Sequence, residues 1–143
     1  MCGIVGLFLK DDRLEFQLGS LLSDMLVTMT DRGPDSAGIA IYSKSEMGKA
    51  KYTLQCDNPD ETFKNLRSYL NEHIKSDFEI NINDTHAVVQ LNVEIAEKFL
   101  ALLESFDKQV RTMSRGASLE IYKEVGLPKQ VTNRFKIPQM SGR

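Results

Sequence analysis

Between Lys51 and Met113 the hydrophobic period alternates, and nothing else in the chain limits its fold as tightly. Apolar residues two apart mark a half-buried strand, whereas apolar residues three and four apart mark one face of a helix. Tyr52 and Leu54 give a first strand. Asn58-Pro59-Asp60-Glu61 has the chemistry of a helix start, with Asn as N-cap, Pro at the first helical position and Glu at the capping-box position. Phe63, Leu66, Leu70 and Ile74 continue that helix as a stripe. Phe78, Ile80 and Ile82 alternate again, Asn83-Asp84 reads as a turn, and Thr85 to Leu91 predicts a further strand. Ile95, Ala96, Phe99, Leu100, Leu103 and Phe106 predict a second helix, and Gln109 to Met113 a last strand. The order is β-α-β-β-α-β, a split pair of βαβ units.

The flanks have a different rhythm. Ile4 to Phe8 reads as a short buried strand, followed by a charged turn at Lys10-Asp11-Asp12-Arg13. Leu18, Leu21, Leu22, Met25, Leu26 and Met29 predict one amphipathic helix ending near Asp31, with Gly33 as terminator and its methionines in the core. Ile39 to Tyr42 is an apolar strand. Ser43 to Lys49 is polar and breaks the pattern, which places a domain boundary there. Met47-Gly48-Lys49 lacks the earlier glycine and the following Ser or Thr of a phosphate loop. Ser118 to Val125 predicts a short helix stopped by Gly126 and Pro128, Lys129 to Phe135 another turn or two, and Lys136 to Arg143 a linker. The expected organisation is therefore 1–48, an insert at 49–116, and a helical segment and linker at 117–143. The expected insert is a ferredoxin-like βαββαβ domain.

Composition narrows the function classes. A net charge of -2 offers no large basic field for nucleic acid or anionic membrane. No apolar run approaches the ~18 residues of a membrane span, and no basic segment precedes an apolar one as in a signal peptide. The 2 cysteines, Cys2 and Cys56, cannot build a disulfide framework, and His73 and His86 stand apart, so no metal site is expected. A reducing cytoplasm is the expected location.

Cys2 carries distinctive chemistry. Once Met1 is removed, this residue holds a thiol and a free α-amine. An α-amine titrates near ~7.7–8.0 against ~10.4 for lysine, so it can accept a proton near neutral pH. Nucleophile and base then share one residue. A plain buried thiol after a start codon is the competing reading of Cys2 taken alone.

A second stretch tips that balance. Thr30 to Gly38, Thr-Asp-Arg-Gly-Pro-Asp-Ser-Ala-Gly, is a polar turn leading into Ile39-Ala40-Ile41-Tyr42. Together, MCGIVGLF and RGPDSAGIAIY resemble the N-terminus of class II glutamine amidotransferases, which are N-terminal-nucleophile hydrolases. The likeness covers about the first third of the chain. It implies an α+β fold: the N-terminal part of an αββα sandwich, interrupted by the insert. It implies Cys2 as nucleophile, and Arg32 and Gly33 beside it at the substrate site, with the Gly33 carbonyl accepting from the Cys2 amine. Asp35 and Ser36 are expected to shape the turn through side-chain bonds. Glutamine is the implied substrate, ammonia the product passed on, and no cofactor is implied on this chain.

The match is incomplete. The family uses an Asn-Gly pair as oxyanion hole, an Arg for the substrate carboxylate and an Asp for its amine. No asparagine here precedes a glycine, and no His-Thr-Arg stretch occurs. The expectation is an N-terminal fragment, with the remaining strands after Arg143 and an exposed apolar face on residues 4–8 and 39–42. Ser118 to Pro128, followed by Met140-Ser141-Gly142-Arg143, is similar to stand-alone amidotransferase subunits of glutamate synthase-related systems, including that of N-methylglutamate synthase. Such subunits pair with synthase subunits that carry flavin and iron–sulfur centres. A non-catalytic regulatory or subunit-docking role for the insert is the alternative.

Overall fold

The computed structural model describes residues 3–143. They divide into two compact units, Met1–Lys44 with Ile121–Arg143, and Ser45–Glu120.

The Ser45–Glu120 unit contains strand β2 (Lys49–Gln55), helix α2 (Pro59–His73), strands β3 (Phe78–Asn83) and β4 (His86–Asn92), helix α3 (Ala96–Phe106) and strand β5 (Arg111–Gly116). Strand β1 (Ser36–Tyr42) precedes them in the other unit, as does helix α1 (Leu18–Val27). The four strands form one antiparallel sheet in the order β3-β4-β2-β5. Register follows the apolar pattern: Tyr52 lies opposite Val89, and Val89 opposite Ile80, so one face carries a continuous apolar row. Phe63, Leu66 and Leu70 of α2 and Phe99 and Leu103 of α3 belong to the same core as that row. The Tyr52 and Phe99 rings pack 4.8 Å apart.

Local details depart from the sequence reading. Asn58 does not cap α2 with its side chain; its amide donates to Glu61 Oε2 at 3.3 Å, and Pro59 supplies the helix start by its fixed φ. The β3–β4 turn lies at Asp84-Thr85, one residue later than expected, with Asp84 in the left-handed region (φ 56). The last strand starts at Arg111, not Gln109.

Two groups in this unit make predictions. Cys56 is 1% exposed, and burial, the largest influence on it, pushes its thiol pKa up. A raised folded pKa means that the stability held by the neutral thiol is complete below the ordinary thiol value and is lost as pH rises through the folded one. An aromatic disulfide reagent at neutral pH should therefore modify Cys56 at the rate of unfolding; modification as fast as a free thiol would contradict this burial. Lys51 Nζ lies 2.8 Å from Glu120 Oε1, with side chains only 9% and 15% exposed. Removing one partner of a buried pair costs about 3–5 kcal/mol, because a desolvated charge remains. Urea unfolding of Lys51→Met should show such a loss, and the double variant Lys51→Met/Glu120→Leu should recover most of it.

The other unit holds a 3₁₀ turn at Asp12–Gln17, α1, a 3₁₀ turn at Thr30–Arg32, β1, strand β6 (Leu119–Val125) from Ile121 on, helix α4 (Pro128–Arg134) and a 3₁₀ turn at Ile137–Gln139. β1 and β6 pair, and the Gly126 N–H donates to the Asp35 carbonyl at 2.9 Å where the pair ends. The expected helix over Ser118–Val125 is thus a strand. Leu-Glu-Ile-Tyr-Lys-Glu-Val is too short for periodicity to decide, and the hydrogen bonds offered by β1 do so. Pro128 starts α4 rather than stopping a helix, and Gln130 Oε1 accepts from the Leu127 N–H at 3.1 Å.

The expected linker over Lys136–Arg143 is packed instead. Ile137 is fully buried. The Gly19 N–H donates to the Met140 carbonyl at 3.1 Å, Gly142 N–H to the Glu15 carbonyl at 3.1 Å and Arg143 N–H to the Tyr42 carbonyl at 3.0 Å. Glycine permits both approaches. A Cβ on Gly19 would stand 1.9 Å from the Ile137 oxygen, and one on Gly142 would stand 2.6 Å from the Tyr42 oxygen.

Residues 3–9 form no strand, against the expectation for Ile4 to Phe8. Their burial still alternates: Gly3, Val5 and Leu7 are half-buried, whereas Ile4 (94% exposed) and Phe8 (67% exposed) face outward. The side-chain pattern of a strand is there without the ladder that would make it one. β1 buries Ala37, Ile39 and Ile41 and exposes Gly38, Ala40 and Tyr42. The methionine stripe of α1 is only half-buried at Met25 and at Met29 beyond its end, while Leu18 is the well-buried member.

Candidate active site

The sequence concentrates its chemistry in two short motifs, and the fold brings them to one place. α1 ends at Val27, and Thr30–Arg32 winds into a single 3₁₀ turn. The Arg32 N–H donates to the Met29 carbonyl at 2.9 Å and the Gly33 N–H to the Thr30 carbonyl at 3.1 Å. That pair of bonds fixes the Arg-Gly step. Gly33 leaves the helical region (φ -163, ψ 74), as a residue before proline is biased to do, and β1 begins at Ser36 after Pro34.

Gly3 lies against this turn. A Cβ built on it would come within 2.5 Å of Met29 Cε and 3.2 Å of Arg32 Cβ, with Arg32 Cδ at 3.5 Å. Gly3 therefore packs against the stem of Arg32, 29 residues on in sequence. Cys2, the expected nucleophile, lies outside the described residues, and its neighbour Gly3 marks where the motif arrives.

Gly3 and Gly33 line one cleft of about 230 Å³, together with Met29, Asp35, Ser36 and Pro128. That volume is below the ~300–1,000 Å³ of drug-sized pockets and suits a small metabolite. A Cβ on Gly33 would meet nothing within 4 Å, so this residue borders open space. Asp35 is the charged side chain lining the cleft among the described residues. Asp35 and Ser36 form no side-chain hydrogen bond among the described residues; the expected turn-shaping bonds are absent, and both residues border the cleft instead. The Arg32 side chain is exposed.

Sequence reasoning missed Pro128. It reaches the cleft because β6 pairs with β1 and α4 follows directly. Leu119 to Val125 is too short and too mixed in pattern for its period to have pointed to that pairing. Among the described residues no group of three or more His, Cys, Asp or Glu could hold a metal ion, and no helix is long and apolar enough to cross a membrane.

The comparisons with known proteins agree with the motifs. The chain is 53% identical over 142 residues to the glutamine amidotransferase-like protein GlxB of Rhizobium meliloti (strain 1021), covering 99% of this chain and 47% of that protein. A second relative, the "Putative glutamine amidotransferase" of Methanothermobacter thermautotrophicus, is 29% identical over 147 residues, 94% of this chain and 47% of its own. Both relatives carry glutamine amidotransferase in their names, and the chain spans about half the length of the curated relatives it matches. No family model matches the chain, and no solved structure does.

Proposed function

We propose that this chain carries the nucleophile-bearing part of a class II glutamine amidotransferase, which hydrolyses glutamine to glutamate and supplies the ammonia to a glutamate synthase-like partner. The supporting observation is that Gly3, which packs against the stem of Arg32, lines the same cleft as Gly33, although Arg32 itself does not line it. Two motifs that carry the resemblance separately are neighbours in space.

In this reading the Cys2 thiol attacks the side-chain carbonyl carbon of glutamine while the Cys2 α-amine takes the thiol proton. The tetrahedral intermediate collapses with that proton passing to the leaving nitrogen, and ammonia departs. The γ-glutamyl thioester that remains is hydrolysed by water to glutamate and free thiol. The Gly33 carbonyl would hold the amine, and Arg32 would border the substrate. Losing one oxyanion donor costs ~10²–10³ in rate, so the donors matter as much as the nucleophile. We assign them, with the group that grips the substrate carboxylate, to the part of the relatives' length that this chain does not span.

The same reading takes the smaller unit's β1 and β6 as part of an N-terminal-nucleophile sandwich. It takes the Ser45–Glu120 unit as a ferredoxin-like insert, supported by its βαββαβ order and its β3-β4-β2-β5 sheet. The direct assay is glutamate and ammonia release from glutamine by the intact protein, with asparagine as control. Equimolar release from glutamine alone is expected. No release above buffer, with the synthase partner present, would remove the enzymatic reading and leave the docking or regulatory role.

A further inference from the structure

The Ser45–Glu120 unit has a cleft of its own, of about 290 Å³, where the end of β5 meets β2 and the start of α3. Tyr52 and Arg115 are direct cross-strand partners, so their side chains share the helix-facing side of the sheet. There the Arg115 guanidinium acts on the Tyr52 phenol. Tyr52 is 4% exposed and forms no side-chain hydrogen bond among the described residues, and since no fully buried side-chain oxygen there lacks a partner, its hydroxyl is the part that meets solvent. A tyrosine this buried ordinarily finds a partner for its O–H. Its phenol instead lines the cleft.

Three further features converge there. Arg115 and Lys49 line the cleft, and neither forms an ion pair among the described residues. The 3₁₀ turn Val93–Ile95 runs straight into α3 beside them, with the Val93 N–H donating to the Gly48 carbonyl at 2.8 Å and the Ala96 N–H to the Val93 carbonyl, so the start of this continuous helix lies at the cleft's edge with its positive end nearby. The remaining wall, Val93, Ala96 and Ala117, is aliphatic. Glu94 and Glu97 near the helix start are exposed and do not line the cleft.

We infer that this cleft is a binding site for a small carboxylate with an aliphatic body. The carboxylate sits between Arg115, the Tyr52 hydroxyl and the start of α3, and its chain lies on Val93, Ala96 and Ala117. The site shares no residue with the cleft that Gly3 and Gly33 line, so it makes the insert a ligand-binding module independent of the glutamine reading.

The test is titration of the intact protein with n-pentanoate, followed by backbone amide NMR, with inorganic phosphate and n-pentylamine in parallel. Saturable shifts at Val93 to Glu97 and Arg115 to Ala117 with millimolar or tighter affinity for pentanoate are expected. Phosphate should bind several-fold more weakly and pentylamine not at all. Arg115→Gln should weaken pentanoate about tenfold, and Tyr52→Phe, which keeps the ring packed on Phe99, several-fold. Absence of saturable shifts at about 20 mM, phosphate binding as tight as pentanoate, or unchanged affinity in a folded Arg115→Gln protein would each overturn the inference.

Discussion

Replacing Gly19 with alanine is expected to destabilise the protein, although alanine is the better helix former. Propensity alone would reward the change by about 1 kcal/mol. Packing opposes it more strongly. The new Cβ would stand 1.9 Å from the Ile137 carbonyl oxygen and 2.6 Å from the Met140 oxygen. Both are backbone atoms, so no flexible side chain can yield. Relief requires moving residues 137–140 off α1 and breaking the Gly19 to Met140 hydrogen bond. Overpacking costs about 1–3 kcal/mol, often more against backbone, and the lost bond about 1 kcal/mol. The net expectation is a loss of about 2 kcal/mol or more, read as a lower urea midpoint. Ser20→Ala, at an exposed neighbouring position, should change the stability by less than ~0.5 kcal/mol. A Gly19→Ala protein as stable as the parent would contradict the docking of the last residues on α1.

Cys2→Ala in the intact protein is expected to abolish glutamine hydrolysis. Without the thiol no thioester forms, and the α-amine has no proton to take. Losses of ~10⁴ or more follow removal of a nucleophile in enzymes of this kind of covalent chemistry. Cys2→Ser keeps the amine and the geometry but replaces a thiol with a far weaker nucleophile, and should retain at most a trace of activity. Cys56→Ala is the matching control: its thiol is buried in the core of the other unit and should leave turnover within about twofold. Loss in Cys56→Ala with retention in Cys2→Ala would reverse the assignment of the nucleophile.

How much of this was legible in the sequence depends on whether a residue's role was local. The elements of the Ser45–Glu120 unit were readable because each carries several apolar residues at one unambiguous period, as Phe63, Leu66 and Leu70 do. Turn positions slipped by a residue because Asn83, Asp84 and Thr85 all suit a turn, and only the pairing of Asn83 with His86 chooses among them. Residues 119–143 were misread for a different reason. Seven residues of mixed pattern acquire strand character only by pairing with β1, and the tail looks like a linker until Gly19 and Gly142 are seen to admit close backbone approach. The site followed the same rule. Arg32 and Gly33 stood out as a motif, whereas Pro128 in the cleft and the open side of Asp35 needed the fold. Ile4 to Phe8 has the alternation of a strand but lacks hydrogen-bonded pairing, which no single stretch of sequence can supply.

The central claim is that the mature protein begins at Cys2 and that this residue attacks glutamine. Incubation of the intact protein with a diazoketone analogue of glutamine, followed by peptide mass spectrometry, tests it in one step. A single adduct is expected, on an N-terminal peptide that starts at Cys2, and excess glutamine should block it. A peptide that still starts at Met1, or an adduct that leaves Cys2 unmodified, would contradict it.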